Sequence, residues 1–218
     1  MMIVGVLFIS GVVVFLFRFL LRQSKKPTGF VGRMMMRIWN RVYIPMTDWA
    51  INILPNSSYD RILDVGVGNG ASSQLLKKRF PASLIYGIDL SEEAAAAADQ
   101  LNTKGIHFSI QTIEQTSFQC GEFDLVSAFQ THFHWENLDQ ALLEIHRILT
   151  PAGLLLIACE YSKIQYFLKD IAKKERLEDY LNGLGFRLTD MRKGNNWVCY
   201  LIEKKTDNDR CINFSRLE

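Results

Sequence analysis

Hydrophobic and polar positions alternate in blocks from residue 61 onward, and each block has the length of one strand or one helix. Short apolar runs predict five buried strands, at residues 61–65, 84–89, 106–111, 123–129 and 154–159. Helical periodicity falls between and after them, at residues 71–79, after Ser91, at 137–149 and at 171–184. Two last runs, 186–190 and 197–203, predict a hairpin that turns at 193–196. We therefore expect an α/β fold, a mostly parallel sheet covered by helices on both faces.

The first apolar block has a different character. Residues 2–21 carry one charge, Arg18, and a helix of that length at about 1.5 Å per residue just spans a hydrocarbon core of roughly 30 Å. Arg22, Lys25 and Lys26 follow directly, and such basic residues favour the cytoplasmic side of a membrane. This pattern predicts a single-pass membrane anchor, with the rest of the chain on the cytoplasmic side.

Two other interpretations of residues 2–21 are weaker but stay open. A cleaved signal peptide normally begins with basic residues and ends in a small-x-small cleavage site, and this segment has neither. A buried helix of the folded body is the second alternative, although helices that are apolar all round are rare at a free N-terminus.

Segment 29–44 predicts another helix, with Arg33, Arg37 and Arg41 four residues apart on one side and apolar residues on the remainder. It has two equally supported interpretations. Such a helix can lie against anionic lipid headgroups, or it can pack its apolar side on the core of a domain.

The balance of charged residues differs between residues 1–47 and the rest of the chain. Residues 1–47 hold seven basic and no acidic side chains, whereas the remaining residues hold 18 basic and 23 acidic ones. A mildly acidic body argues against a general nucleic-acid partner. We therefore divide the chain into an anchor (1–22), a basic linker with an amphipathic helix (23–54), a folded domain (55–203) and a polar tail (204–218).

A glycine-rich turn between the first strand and its helix carries the candidate chemistry. Gly66, Gly68 and Gly70 allow a sharp turn that brings a ligand close to backbone amides. This spacing also satisfies a loose dinucleotide-binding fingerprint, so the glycines alone do not identify the ligand. Asp89, at the end of the second strand, suits ribose hydroxyls in either case. Asp64, just before the turn, would repel a diphosphate but would favour the ammonium group of an amino acid.

Four motifs then occur in order: Asp64-x-Gly66-x-Gly68-x-Gly70, residues 86–91, residues 123–126 and residues 147–153. Together they resemble the class I S-adenosylmethionine-dependent methyltransferases. Within that class they are most similar to the type 11 small-molecule group, which is related to the quinone and sterol methyltransferases. The resemblance covers about residues 28–203. It implies a Rossmann-like, doubly wound, seven-stranded sheet with a terminal antiparallel hairpin, and S-adenosylmethionine as the cofactor.

The resemblance also implies roles for individual residues in cofactor binding. The three glycines of the turn would line the methionine part of the cofactor, with Asp64 near its amino group. Asp89 would hold the ribose, and Leu90 would pack on the adenine. The family usually places an acid near the end of strand three to meet the adenine amino group, whereas this chain has Thr112 and Ile113 there. Further cofactor contact is expected at Phe129.

The segment after the fourth strand faces the methyl group and the acceptor in similar proteins. His132 and His134 could act there as a general base, and Glu160, just after the fifth strand, is a third catalytic candidate. A His-x-His pair is weak evidence for a metal without a third ligand, and either histidine could simply be a polar loop residue. Methyl transfer depends chiefly on alignment of the acceptor, so a dedicated base is not required.

The sequence thus favours a membrane-anchored methyltransferase that acts on a small-molecule acceptor, which could be hydrophobic or lipid-like. A methyltransferase-like fold that binds without catalysis is the main alternative, because Thr112 replaces the usual acid. An NAD-dependent oxidoreductase is less favoured, because Asp64 would oppose a diphosphate. The acceptor and the oligomeric state do not follow from the sequence.

Overall fold

The computed structural model describes residues 29–101 and 103–205, together with Arg18. The strands are β1 (Arg61–Val65), β2 (Leu84–Asp89), β3 (Ile106–Ile110), β4 (Phe123–Phe129), β5 (Leu149–Glu160), β6 (Phe186–Gly194) and β7 (Trp197–Lys204). The helices are α1 (Gly29–Ile51), α2 (Ala71–Arg79), α3 (Glu92–Asp99), α4 (Leu138–Ile148), α5 (Tyr161–Phe167) and α6 (Lys174–Gly183). Two 3₁₀ turns, His132–His134 and Lys169–Ile171, complete the described elements.

The strands form one sheet in the order β3-β2-β1-β4-β5-β7-β6. Strands β1 to β5 pair with one another in parallel, and β7 is antiparallel to both β5 and β6. The expected Rossmann-like α/β fold with a terminal hairpin is therefore confirmed. The chain builds outward from β1 in one direction through β2 and β3, and in the other direction through β4 and β5. This reversal places a crevice at the carboxyl ends of β1 and β4, where ligands of such sheets bind.

Four elements differ from the expected ones. β5 begins at Leu149, five residues earlier than expected, because Leu149 pairs with Phe123 of β4. Helix α1 continues beyond residue 44, through Pro45 to Ile51. The short helix α5 was not expected at all, and the charged helix that was expected at 171–184 begins at Lys174.

Apolar side chains pack on both faces of the sheet. Successive residues of β5 belong alternately to two buried clusters, because side chains of a strand point to opposite faces in turn. Residues of α4 and α6 cover one cluster, and residues of α1 and α2 cover the other. Met46 and Ala50 of α1 are fully buried. The last turns of α1, beyond the predicted segment 29–44, are therefore part of the core. Within that segment Ile38 and Val42 are exposed, so its two interpretations stay predictions.

Helix α1 runs along the carboxyl edge of the sheet. Its Gly29 amide donates to Glu93 Oε1 at the start of α3, over 3.4 Å. Near its other end, the Tyr43 hydroxyl donates to Glu160 Oε2 at the end of β5, over 3.5 Å. Trp49 packs against Trp197 with 5.9 Å between ring centroids. The helix therefore lies beside the crevice and touches elements on both sides of it.

Within the residues that the structure describes, no helix combines the length and the apolar character needed to span a membrane. The predicted single-pass membrane location is therefore wrong for this part of the chain. The described helices bury an apolar stripe against the sheet and are not apolar all round, as a spanning helix would be. The segment predicted as an anchor, 1–22, lies outside the described residues except for Arg18. The predicted polar tail lies outside them beyond Lys205.

Candidate active site

The glycine turn lies at the carboxyl end of β1, in the crevice. All three glycines have left-handed backbone angles, with φ of +73° at Gly66, +54° at Gly68 and +80° at Gly70. The Gly66 amide donates to the Ile88 carbonyl of β2 at 2.8 Å, which fixes the start of the turn. A Cβ at Gly66 would lie 2.9 Å from Thr131 Cβ, whereas a Cβ at Gly68 would meet open space. The backbone around Gly68 is thus the part of the turn that a ligand can approach.

Asp64 lies beneath the turn and is 1% exposed. Its Oδ2 accepts hydrogen bonds from the hydroxyls of Ser72, at 2.5 Å, and Ser73, at 2.7 Å. Ser127 of β4 donates to Oδ1 at 3.1 Å. Burial raises the pKa of Asp64 to about 6, and the three serine hydroxyls oppose that rise. Its carboxylate is therefore bound by the protein itself, and its expected place near the cofactor amino group remains a prediction.

Asp89 ends β2 and holds the turn from the other side. Its Oδ2 accepts from the Gly68 amide and its Oδ1 accepts from the Ser91 amide, each at 2.9 Å. Burial raises the pKa of this carboxyl, and the backbone amides of Ser91, Gly68 and Leu90 act in the opposite direction. The carboxylate expected to hold the ribose therefore touches the same backbone segment that a ligand can approach.

The residues expected around the adenine differ in exposure. Leu90 is 48% exposed beside Asp89, so its side chain is available to a flat apolar ligand. Ile113 and Phe129 are buried. The Thr112 hydroxyl donates to the Glu114 carboxylate, so it can meet an adenine amino group only as an acceptor. The expected contact of Thr112 with the adenine therefore stays a prediction, with the hydroxyl oxygen as the acceptor.

The two histidines after β4 point into different surroundings. His132 is 4% exposed, and burial followed by the charge of His134 lowers its pKa to about 3. The His134 ring lies 4.5 Å from Phe133 and 5.9 Å from Phe167, measured between centroids. A nitrogen with a pKa of about 3 is a poor base at neutral pH. A base role stays a prediction for both histidines, and the low pKa of His132 argues against that ring.

Glu160 has neighbours that the sequence alone did not suggest. Its backbone amide donates to Gln130 Oε1 at 3.3 Å, and its carboxylate accepts from Tyr43 as described above. Burial, and next the charge of Glu160, raise the pKa of Tyr43 to about 12, so the phenol stays protonated. Gln130 and Tyr43 were missed because 30 and 117 residues separate them from Glu160, and no local pattern marks such contacts.

Comparisons with known proteins agree with this geometry. Residues 63–157 match a family model described as a methyltransferase domain. That segment begins in β1 and ends in β5, so it contains the glycine turn, Asp89 and the histidines.

Two curated relatives have defined reactions. A malonyl-acyl-carrier-protein O-methyltransferase of Geobacter sulfurreducens is 38% identical over 45% of this chain and 38% of the relative. A 2-methyl-6-phytyl-1,4-hydroquinone methyltransferase of Synechocystis sp. is 28% identical over 52% of this chain and 36% of the relative. The matches span between 38% and 64% of the first curated relatives, so much of those proteins has no counterpart in the alignment.

A solved structure shows the same fold. An S-adenosylmethionine-dependent methyltransferase from Mesorhizobium loti superposes with a TM-score of 0.61 over 72% of this chain and 97% of that one, at 16% identity. Residues 63–157 therefore match a methyltransferase domain, and the solved structure shares the fold. The predictions of enzyme class and of S-adenosylmethionine as the cofactor are confirmed at this level.

Proposed function

We propose that this chain transfers a methyl group from S-adenosylmethionine to a small-molecule acceptor at the crevice between β1 and β4. The observation that carries the proposal is the pairing of Asp89 with Gly68. The half-buried carboxylate accepts from the Gly68 amide, and the space where a Cβ of Gly68 would stand is open. This combination suits a nucleoside whose ribose meets the carboxylate and whose amino-acid part follows the turn.

The chain's own residues would bind and align the reactants. When bound, S-adenosylmethionine supplies an electrophilic methyl group on a sulfonium. Gly66, Gly68 and Gly70 would hold its methionine part, Asp89 its ribose, and Leu90 and Thr112 its adenine. The acceptor would enter over the carboxyl ends of β4 and β5, near His134 and Glu160. Correct alignment in that position supplies most of the rate enhancement that such a transfer needs.

The acceptor is proposed to be a small and hydrophobic molecule, with no nucleic-acid partner. Among the relatives above, one acts on a malonyl group attached to a carrier protein and the other acts on a hydroquinone. Their different acceptors show that the shared domain does not by itself determine the acceptor.

A second candidate is a protein that binds the cofactor without catalysis. The specific observation in its favour is Thr112, whose hydroxyl is engaged by Glu114 where the family usually has an acid. Retention of Asp64, Asp89 and the three glycines favours the enzyme.

Calorimetric titration of the full chain with S-adenosylmethionine and with NAD tests the proposal. We expect S-adenosylmethionine to bind and NAD to bind weakly or not at all. Asp89→Ala should weaken S-adenosylmethionine binding by about 1–3 kcal/mol, because ribose hydroxyls would lose their charged partner. Asp89→Asn, which keeps one acceptor oxygen, should weaken it less.

Asp99→Ala is the matched control, because Asp99 is an exposed carboxylate at the end of α3. Its affinity for S-adenosylmethionine should equal that of the unmodified chain. Tighter binding of NAD would overturn the proposal. Unchanged affinity in Asp89→Ala would show that the ribose lies elsewhere.

A further inference from the structure

The segment that follows β3 contains a hydroxyl and a carboxylate that are bound to each other. Thr112 lies two residues after the end of β3, and its hydroxyl donates to Oε2 of Glu114. The other carboxylate oxygen, Oε1, accepts from the backbone amides of Glu136 at 2.8 Å and Asn137 at 3.5 Å. Glu114 is therefore held between the segment after β3 and the residues that precede α4.

The Glu114 carboxylate fixes the direction in which the Thr112 hydroxyl points its proton. A carboxylate oxygen accepts hydrogen bonds, so Oε2 takes that proton. The Glu114 backbone amide donates to the Thr112 oxygen over 3.4 Å and occupies one of its two lone pairs. No other donor among the described residues binds this oxygen. The Thr112 oxygen can therefore accept one further hydrogen bond, but it cannot donate one.

The Thr112 hydroxyl lies on the side of the crevice where the proposed function places the adenine. The Gln111 amide, one residue before Thr112, donates to the Asp89 carbonyl at 3.2 Å. The segment after β3 thus starts beside the residue proposed to hold the ribose. In the sheet, β2 lies between β1 and β3. A cofactor with its methionine part at the β1 turn and its ribose at the end of β2 therefore extends its adenine toward the end of β3.

Adenine carries the kind of group that this oxygen can bind. Its exocyclic amino group is a hydrogen-bond donor, and it matches an oxygen that can only accept. A threonine hydroxyl without a fixed partner could rotate and donate instead. By itself it would not distinguish an amino group from a substituent that accepts.

We propose that Glu114 is a positioning residue for cofactor recognition, because it holds the Thr112 hydroxyl as an acceptor for the amino group of the adenine. The inference rests on the proposed function and adds to it a residue for which the sequence predicts no role. The pair of Thr112 and Glu114 supplies through a hydroxyl the hydrogen-bond acceptor that the usual acid supplies directly.

Two ligands that differ only in the amino group test this inference on the full chain: S-adenosylhomocysteine and its analogue with purine in place of adenine. Both keep the ring nitrogens, so the ratio of their dissociation constants reports the contact of the amino group. Calorimetry at pH 7 should show about five- to tenfold tighter binding of S-adenosylhomocysteine, the gain expected for one hydrogen bond. Equal binding of the two ligands by the unmodified chain would overturn the inference.

Glu114→Gln should abolish the preference for S-adenosylhomocysteine. The glutamine oxygen can still accept from the two backbone amides, and its nitrogen then donates to Thr112, which turns the hydroxyl proton toward the ligand. The affinity for S-adenosylhomocysteine should fall about five- to tenfold, and that for the purine analogue should change little. A purely structural role of Glu114 would weaken both ligands equally, and that result would overturn the inference.

Glu136→Gln is the matched control, because Glu136 has an exposed side chain and contacts Glu114 through its backbone amide. It should keep the full preference. Thr112→Val is a second variant, which removes the hydroxyl and should also abolish the preference. A preference retained in Thr112→Val would contradict the inference.

The same titrations separate this inference from the proposed function. Binding of S-adenosylhomocysteine without a preference over the purine analogue defeats the role of Glu114 alone. Absence of S-adenosylhomocysteine binding to the unmodified chain defeats the proposed function, and the role of Glu114 with it.

Discussion

At the scale of single residues, the two carboxylates beside the turn are held by different partners. Asp64 is bound by serine hydroxyls inside the core, whereas Asp89 is bound by backbone amides at the crevice. Hydroxyls can rotate to donate or to accept, so the site around Asp64 can hold a charged or a neutral carboxyl. Amides only donate, so they favour the charged form of Asp89, but burial outweighs them and its pKa is raised as well.

The burial of Asp64 predicts how the free energy of unfolding depends on pH. Because the folded-state pKa of Asp64 is about 6, above its ordinary value of 3.8, the folded chain binds this proton more tightly than the unfolded chain. The associated stability is fully present below about pH 4 and is lost as the pH rises through 6. The full loss is about 3 kcal/mol. Asp64→Asn removes this group.

Urea unfolding at several values between pH 4 and pH 7 provides the measurement. The free energy of unfolding of the unmodified chain should fall with pH relative to that of Asp64→Asn. Asp99→Asn, which changes an exposed carboxylate, should follow the unmodified chain. If the free energies of unfolding of the unmodified chain and Asp64→Asn changed with pH in parallel, Asp64 would have the same pKa in the folded and the unfolded chain.

Candidate residues could be predicted from sequence where their neighbours are local. Asp64, Asp89 and the three glycines stand at strand ends next to a turn, so their positions follow from the strand pattern. Tyr43 and Gln130 could not be predicted, because their contacts with Glu160 depend on how α1 and β4 meet β5. The burial of His132 could not be predicted from the sequence either, because it depends on helices that lie far along the chain.

At the scale of elements, the turn between β1 and α2 depends on close packing with the segment after β4. Gly66→Ala should reduce the free energy of unfolding by about 2–4 kcal/mol, because it combines left-handed backbone strain with a clash against Thr131. Gly68→Ala has the same kind of strain but open space, so about 1 kcal/mol is expected. Urea unfolding of both variants measures the difference.

Thr131→Ser supplies the control for the clash. Serine keeps the hydroxyl that donates to Val65 and lacks the methyl group that meets Gly66. The double variant Gly66→Ala with Thr131→Ser should therefore recover part of the lost stability. No recovery would mean that backbone strain accounts for the whole effect.

Strand prediction succeeded for β1 to β4 because each is a short apolar run bounded by polar or glycine residues. It was less accurate at β5, where residues 149–153 have turn-like composition yet pair with β4. The same limit applies to α1, whose Pro45 is typical of a helix end. In both cases tertiary packing outweighs local preference.

At the scale of the whole molecule, α1 raises the question of where the folded unit begins. The family match starts at residue 63, and the division at residue 55 remains a prediction. Yet Met46, on α1, is fully buried in the cluster that also contains Leu76 of α2 and Leu156 of β5. This packing indicates that α1 folds cooperatively with the sheet, although it lies outside the matched segment.

Met46→Ala should therefore reduce the free energy of unfolding by about 2–4 kcal/mol, since it leaves a cavity in the shared core. Val42→Ala, on the same helix but 52% exposed, should change it by less than about 0.5 kcal/mol. Urea unfolding followed by circular dichroism reports the sheet and helices together. If α1 were a separate appendage, Met46→Ala would leave the main transition where it is in the unmodified chain. A shift in that single transition would instead show that the methyltransferase domain needs α1 for its stability.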